Sequence, residues 1–302
     1  MVLLLSLSFN IWLGISYANK ARTVAEIANQ YPLLDPARDL HRQDDLIVNF
    51  QPLRDQVRRL VGDRTDISIY FQYLNTGATI VENKDAEFYP ASLLKLPAAM
   101  AATKKVENGD WEWTTELVLK ESEKDKLWGE LYSKPVGTRI PLTEIIRQIL
   151  VESDNTAYRM LVHSLKASEL QGVYDHLGLG SFAALNTKLS AKRYAVVLRA
   201  LYHNTYLSAE NSQRLLDLLT TSHFGDYLGS GLPKDVRWAH KIGLSEQAGV
   251  FLDAGIVYLP ERPYVIIAMI RSKDEAAAKK FMGELSQMVY KFVADYKPSN
   301  DD

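Results

Sequence analysis

The sequence predicts an α/β (α+β) protein, in which a mainly antiparallel sheet is flanked by helices and carries an inserted all-helical lobe. Runs rich in β-branched and aromatic residues occur near both chain ends, whereas the segment between them, about 91–221, has apolar residues at helical spacing. Strands from both ends must therefore pair in one sheet, with the helical segment as a separate lobe. The predicted strands are 67–74, 78–83, 236–242, 250–259 and 264–271.

Turn residues separate the predicted strands. Residues 75–77, Asn-Thr-Gly, join the first two strands as a hairpin, because glycine readily adopts the positive φ that tight turns need. Gly249 and the proline-bounded segment 260–263 divide the last three strands. A closing helix follows, and Ser272 with Glu275 predicts a capping box at its start.

The central segment predicts a series of helices, most of which begin near Ser or Thr, the residues that cap helix N-termini. A further helix is expected to follow Pro90. A cleft between the helical lobe and the sheet is the expected place for a binding or catalytic site. The predicted helices are 141–151, 156–165, 168–176, 190–202 and 208–220.

Composition excludes several kinds of function. The chain has 302 residues with 47% hydrophobic content, enough to bury a full core, in one large domain or two interleaved lobes. A net charge of −2 without basic blocks argues against nucleic-acid binding. Because there is no cysteine, disulfides and thiolate catalysis are excluded. Without an H-E-x-x-H motif, a carboxylate cage or a phosphate-cradling glycine loop, we expect no metal and no cofactor.

The N-terminal segment 1–18 is uncharged and strongly apolar, which predicts export. It could be a signal peptide cleaved after Ala18 or a retained membrane anchor, and a buried first helix is the alternative. The protein is then periplasmic, extracellular or anchored at the outer face, and contacts a membrane only through this segment. The predicted organisation is a polar spacer at 19–51, a sheet lobe at 52–90 and 234–296, a helical lobe at 91–233 and a disordered tail at 297–302.

Ser92 and Lys95 form an S-x-x-K motif at the start of a predicted helix. Residues three apart share a helix face, so the lysine amine should lie near the serine hydroxyl. A neutral amine can take the proton of a serine nucleophile, whereas a charged one cannot. The pKa of Lys95 must therefore be depressed, by burial or by a neighbouring cation, for which Lys241 is the candidate.

Two further short motifs follow in order. Ser153-Asp154-Asn155 falls on a turn between helices, where Ser153 could pass a proton to a leaving nitrogen and Asn155 could hold a substrate carbonyl or Lys95. Asp154 is expected to fix the turn. Taken singly, each motif has an ordinary structural explanation, such as a helix cap or a strand end. Their order, on compatible elements, favours a serine acyl-transfer site.

The third motif, Lys241-Ile242-Gly243, lies at the end of a predicted strand. Lys241 is expected to anchor a substrate carboxylate and to face Ser153. Gly243 lets a ligand backbone approach closely. The backbone N–H groups of Ser92 and Leu244 are the expected oxyanion hole.

The three motifs resemble those of the penicillin-recognising serine hydrolases, and most closely the class A β-lactamase-like family, over about 67–294. The resemblance implies a five-stranded sheet beside a helical lobe, with Ser92 as nucleophile, Lys95 as general base, Ser153 as proton shuttle and Lys241 as anchor. It also implies an aromatic cleft wall at the position of Trp128 or Tyr132, for which core packing is the alternative. The motif residues are Ser92, Lys95, Ser153, Asn155, Lys241 and Gly243.

Two departures from the family pattern affect the expected chemistry. Ile242 stands where the family has a hydroxyl-bearing threonine, and Ser245 is a candidate replacement donor. The family's loop glutamate, which activates the water for deacylation, is replaced by Phe182 in a shortened loop where Leu185 and Asn186 fit the pattern only superficially. Acylation is therefore better supported than fast deacylation.

The sequence thus predicts a serine hydrolase acylated by β-lactams or related amides, with a small-molecule or peptidoglycan-derived substrate. Two alternatives remain open at this point. One is a D,D-peptidase, esterase or penicillin-binding protein that turns over slowly. The other is a non-catalytic envelope protein that binds cell-wall fragments, since a fold alone does not fix activity.

Overall fold

The structure, a computed structural model, describes residues 2–35, 47, 49–181 and 188–296. Its strands are β1 Ile67–Tyr73, β2 Thr79–Glu82, β3 Glu116–Val118, β4 Arg139–Pro141, β5 Trp238–Ser245, β6 Val250–Val257 and β7 Tyr264–Arg271. Its α-helices are α1 Val2–Gln30, α2 Gln51–Val61, α3 Lys95–Glu107, α4 Leu142–Leu150, α5 Asn155–Ser164, α6 Ala167–Leu177, α7 Ala191–Tyr202, α8 Ala209–Thr220 and α9 Glu275–Asp295. Short 3-10 helices include Ala91–Leu94, Leu131–Ser133 and Leu228–Gly231.

The main sheet joins both chain ends, as the sequence predicts. Its five strands lie in the order β2-β1-β7-β6-β5, and every neighbouring pair is antiparallel. The central pairing of β1 with β7 sets Ile67 opposite Ile270 and Tyr73 opposite Tyr264. A second sheet of β3 and β4 was not predicted, because strands of three residues carry too little alternation to be recognised.

The two faces of the sheet bury two separate apolar clusters. Alternate side chains of a strand point to opposite faces, so Val265 packs against the helical lobe and Ile266 packs against α2 and α9. The β1 strand is buried at all seven positions, which explains its continuous apolar character. This double cover holds β5, at one edge of the sheet, against the start of α3.

Helix caps agree with the sequence at α7 and α8 and differ at α5, α6 and α9, because Asp154 caps α5 and Lys166 stands at the N-cap of α6 where Ser or Thr was expected. The side chains of Ser190 and Ser208 accept hydrogen bonds at the starts of α7 and α8, as predicted. The capping box expected for the closing helix is wrong, because Asp274 caps α9 instead. Ser272 accepts from the Asp274 N–H, and the Glu275 carboxylate accepts from Tyr227, so both side chains of the expected box have other partners.

The N-terminal helix runs without a break through residue 18 and ends at Gln30. Within the part of the chain described here, no helix combines the length and the apolar character needed to cross a bilayer. The segment after α1 docks onto the helical lobe: Leu33 is buried, its N–H donates to Gln213 Oε1 over 2.9 Å, and the Asp35 N–H donates to the Tyr202 carbonyl over 3.0 Å. The polar spacer expected at 19–51 therefore includes a firm contact with the core.

Candidate active site

Ser92 lies in the 3-10 turn that leads into α3. The turn closes through a 3.0 Å bond from the Leu93 N–H to the Pro90 carbonyl. Ala91 has a φ of +46°, a left-handed conformation that is strained for alanine and that often occurs at functional sites. Ser92 is half-buried, and its position at the start of α3 favours negative charge developing on its oxygen.

Lys95 joins the first motif to the second. Its Nζ donates to Asn155 Oδ1 over 2.7 Å and to Ser153 Oγ over 3.2 Å, and it also bonds the Ser153 carbonyl. Ser153 has a φ of +55°, and in this conformation both its carbonyl and its hydroxyl meet the same amine. The turn between α4 and α5 therefore brings the predicted proton shuttle into direct contact with the predicted base.

Burial makes the Lys95 amine a base near neutral pH. Only 2% of the residue is exposed, and this burial lowers the pKa of Lys95 to about 7, against the opposing negative charges of Asp154 and Asp125. The sequence analysis offered two causes, burial and the Lys241 cation. Burial is the largest cause of the depression.

Lys241 is buried completely within β5, and its Nζ has no hydrogen-bond partner among the described residues. Burial, followed by the charge of Lys95, holds the pKa of Lys241 well below its usual value, while Asp253 opposes this. Two like charges oppose each other's protonation, so the two amines are coupled, with burial as the larger cause for both. The Ser153 hydroxyl contacts Lys95, and the positive charge that Lys241 is expected to supply to Ser153 stays a prediction.

Gly243 lets β5 approach the Ser92 turn. A Cβ at this position would lie 2.7 Å from the Pro90 carbonyl oxygen and 3.0 Å from Leu93 Cγ. Only a residue without a side chain allows this separation, so Gly243 lets β5 pack directly against the turn. The strand that carries Lys241 therefore lies beside the turn of Ser92.

Gly243→Ala should lower the free energy of unfolding by about 2 kcal/mol, because the new methyl group meets backbone that cannot rotate away. Gly172→Ala is the matched control: it lies in α6 with nothing within 4 Å of the added Cβ, and it should stabilise the protein by about 0.5–1 kcal/mol. Urea unfolding of both variants measures the difference. Equal effects of the two substitutions would contradict the close approach.

The neighbours of Gly243 on β5 have different environments. Ile242 is 2% exposed and packs in the apolar cluster on the α9 side of the sheet, which explains an aliphatic residue here. Leu244 is partly buried against the same cluster. Ser245 Oγ accepts from the Ala248 N–H over 3.2 Å, so its oxygen helps to close the β5–β6 turn. Its proposed role as a replacement donor stays a prediction.

Asp154 fixes the turn, as expected, through buried bonds to two elements. Its Oδ1 accepts from the Ala157 N–H over 2.8 Å and caps α5, and its Oδ2 accepts from the Leu131 N–H over 2.9 Å. The Asn155 N–H donates to the Trp128 carbonyl over 3.0 Å. These bonds tie the aromatic segment 128–131 to the turn that carries Ser153.

Trp128 contacts Phe224, a residue that no sequence motif indicated, and its role as an aromatic cleft wall stays a prediction. Trp128 is 38% exposed, and its ring contacts the ring of Phe224 edge to face, with centroids 5.9 Å apart. Lys241 Nζ lies 5.7 Å from the centre of the Phe224 ring. Phe224 follows α8 in a connecting segment, where no motif marks it. Tyr132 lies in the next 3-10 turn, partly buried, and takes no part in the contacts described for this cleft.

Two further residues around Lys95 were missed. The ring centre of Tyr158 on α5 lies 5.9 Å from Lys95 Nζ, and it adds to the apolar surroundings of the amine. Asp125 is 8% exposed, accepts from the Leu127 N–H and pairs with Arg159 over 2.6 Å. Only the tertiary fold brings these groups to the motif residues, so their spacing in the sequence carries no signal.

The assignments to Phe182, Leu185 and Asn186 lie outside the described residues. Of the described carboxylates, Asp154 and Asp125 are those that act on the charge of Lys95. Both are already engaged in structural bonds, Asp154 as a helix cap and Asp125 with Arg159.

Comparison with known proteins agrees with the motifs. A family model described as the β-lactamase enzyme family matches residues 52–293. Beta-lactamase VEB-1 of Pseudomonas aeruginosa is 19% identical over 247 residues, which cover 72% of this chain and 82% of that protein. The match confirms the resemblance drawn from the sequence.

Solved structures with the same fold include penicillin-binding-type and β-lactamase proteins. PBP-A superposes with a TM-score of 0.74 at 25% identity, covering 82% of this chain and 97% of that one. A point mutant of PBP-A, solved as an acyl-enzyme complex with penicillin G, gives 0.75 at 25% identity, covering 81% and 97%. A β-lactamase from Sphaerobacter thermophilus gives 0.73 at 20% identity, covering 83% and 100%. The predicted fold is therefore confirmed.

Proposed function

Because this chain belongs to the β-lactamase enzyme family, we propose that it is a serine hydrolase acylated at Ser92 by β-lactams or related amides and deacylated slowly. The observation that carries the proposal is the environment of Lys95. A buried amine with a pKa of about 7, bonded to Ser153 and Asn155, is suited to accept and return a proton at neutral pH.

In the acylation step, Ser92 Oγ attacks the amide carbonyl carbon and its proton passes to the neutral amine of Lys95. The carbonyl oxygen becomes an oxyanion, for which the backbone N–H groups of Ser92 and Leu244 are the proposed donors. When the C–N bond breaks, the leaving nitrogen takes the Ser153 hydroxyl proton, and Lys95 restores that proton across their 3.2 Å contact. The products are an ester at Ser92 and an amine, which stays attached to the acyl group when the substrate is a β-lactam.

Lys241 is the proposed anchor for a substrate carboxylate. Its amine is buried without a hydrogen-bond partner among the described residues, and burial holds its pKa well below normal. An arriving carboxylate would supply the opposite charge that favours the protonated form, so binding should be accompanied by uptake of a proton. Asn155 and Gly243 are the proposed contacts of the substrate amide.

Deacylation should be slow because the described part of the site offers few groups that could act as a base for the attacking water. In the described part of the site, the carboxylates that act on Lys95 are held by helix-cap and ion-pair contacts. A point mutant of PBP-A, 25% identical to this chain, is known as an acyl-enzyme complex with penicillin G, which supports acylation by the same class of compound. A penicillin-binding protein or D,D-peptidase acting on peptidoglycan-derived ends is therefore the second candidate function.

Mass spectrometry with benzylpenicillin tests the proposal. The intact protein should gain the mass of one penicillin, peptide mapping should place it on Ser92, and the adduct should persist for hours after the excess is removed. Ser92→Ala should remove the adduct, whereas Ser168→Ala, an exposed serine on α6, should leave it unchanged. Release within seconds would indicate an efficient β-lactamase. No adduct under any condition would favour the non-catalytic envelope protein.

We also propose export, on the basis of the uncharged segment 1–18. The expected place of action is outside the cytoplasm, either free or held by the N-terminal segment. Fractionation of cells that express the full chain, with N-terminal sequencing of the product, distinguishes cleavage after Ala18 from retention.

A further inference from the structure

The Lys241 amine is covered by an aromatic pair. The residue has no exposed surface, yet the proposed function requires a substrate carboxylate to reach its Nζ. Phe224 lies over this amine at 5.7 Å, and Trp128 packs against the far side of Phe224 at 5.9 Å. A carboxylate that pairs with an ammonium group must come within about 3 Å of it. The observed arrangement leaves no such approach.

The two rings come from different segments of the chain. Trp128 belongs to the segment that is bonded to the start of α5, through its carbonyl and the Asn155 N–H. Phe224 belongs to the connection between α8 and β5 and also packs against the apolar cluster on the α9 side of the sheet. An edge-to-face contact between the rings joins the two segments next to Lys241. Such a contact is weak enough to break and re-form thermally.

A contact between His223 and Glu152 joins the Phe224 connection to the turn of Ser153. His223 Nε2 lies 3.6 Å from Glu152 Oε1, and the same carboxylate oxygen accepts from Arg147 Nη1 over 2.8 Å. His223 directly precedes Phe224, and Glu152 directly precedes Ser153. The position of the ring is thus linked to the turn that carries the proton shuttle.

We propose that Phe224, closed against Trp128, is a gate over Lys241 that must open before a substrate carboxylate can bind. Phe224 then determines both how fast substrates are admitted and which side groups fit beside the anchor. This inference rests on the proposed function. Opening is an equilibrium between a closed and an open conformation of the Phe224 side chain. A smaller side chain should favour the open form, and it should therefore raise the rate of acylation without altering the chemical step.

Two measurements on Phe224→Ala test the gate. The second-order rate constant for acylation by benzylpenicillin should rise about fivefold, with a larger gain for penicillins that carry bulkier side groups. Independently, reductive methylation of the Lys241 amine by formaldehyde and a borane, followed by peptide mass spectrometry, should be at least about fivefold faster than in the wild type. Both magnitudes correspond to the loss of one aromatic contact.

Two further variants serve as controls, Phe224→Leu and Phe292→Ala. Phe224→Leu keeps apolar cover and should show an intermediate rise in both measurements, which guards against misfolding of the alanine variant. Phe292 is also partly buried and has two aromatic neighbours, at 5.8 and 6.0 Å, but it lies on α9, so Phe292→Ala should change neither measurement.

The two measurements separate failure of the gate from failure of the proposed function. If the wild type is never acylated but Lys241 methylation accelerates in Phe224→Ala, the gate stands and the proposed function fails. If Phe224→Ala is acylated no faster and Lys241 is methylated no faster than in the wild type, the gate is overturned. Slower acylation with unchanged methylation would also overturn it, by showing that Phe224 binds the substrate.

Discussion

Lys95→Ala should lower the second-order rate constant for acylation by about 10³-fold, the effect expected when a general base is removed. The variant loses the amine that accepts the Ser92 proton and the contacts to Ser153 and Asn155. Stopped-flow or quenched mass spectrometry with benzylpenicillin measures the rate. Lys104→Ala, a partly exposed lysine on the same helix, is the matched control and should react at the wild-type rate.

The pH dependence of the wild type follows from the same group. Because the pKa of Lys95 is about 7, its neutral fraction rises from about one tenth at pH 6 to about nine tenths at pH 8. The acylation rate should therefore rise with pH, with a midpoint near 7. Lys95→Arg keeps the positive charge at every accessible pH, so it should be acylated much more slowly than the wild type, and its acylation rate should not increase with pH. A flat profile in the wild type would exclude Lys95 as the base.

The contacts of Lys95 show what local sequence patterns can predict. An S-x-x-K spacing at a helix start places two groups on one face through backbone geometry alone, and the short turn between two helices limits where Ser153 can lie. The β pattern at both chain ends likewise required one shared sheet. These conclusions rest on periodicity and chain connectivity, which the sequence contains directly.

The positions of Phe224 and Lys241 could not be predicted from local sequence patterns. Phe224 reaches the cleft only because α8 and β5 pack in a particular way, and a lone aromatic residue in a connecting segment carries no signal of this. The mutual influence of Lys95 and Lys241 depends on how completely each amine is buried, and burial is a property of the tertiary structure. Sequence spacing identified the two lysines, but it could not show how deeply each amine is buried or how strongly burial lowers its pKa.

Asp154→Ala should lower the free energy of unfolding by about 3 kcal/mol, since it removes a helix cap and a second buried bond to a charged oxygen. Asp274→Ala is the matched control, because Asp274 also caps a helix, through one bond to the Ala277 N–H, but at an exposed position. It should cost about 1 kcal/mol. Urea unfolding compares the two, and equal losses would show that the bond to Leu131 contributes nothing.

Asp154→Asn separates the electrostatic role of this carboxylate from its structural role. The amide oxygen can still cap α5, but the negative charge that raises the pKa of Lys95 is removed. The pKa of Lys95 should then fall further, and the midpoint of the acylation profile should move below 7. A midpoint that stays in place, with the fold intact, would show that the charge of Asp154 does not affect the basicity of Lys95. A lower midpoint would mean that the Ser153 turn, besides holding the proton shuttle, adjusts the base that serves Ser92.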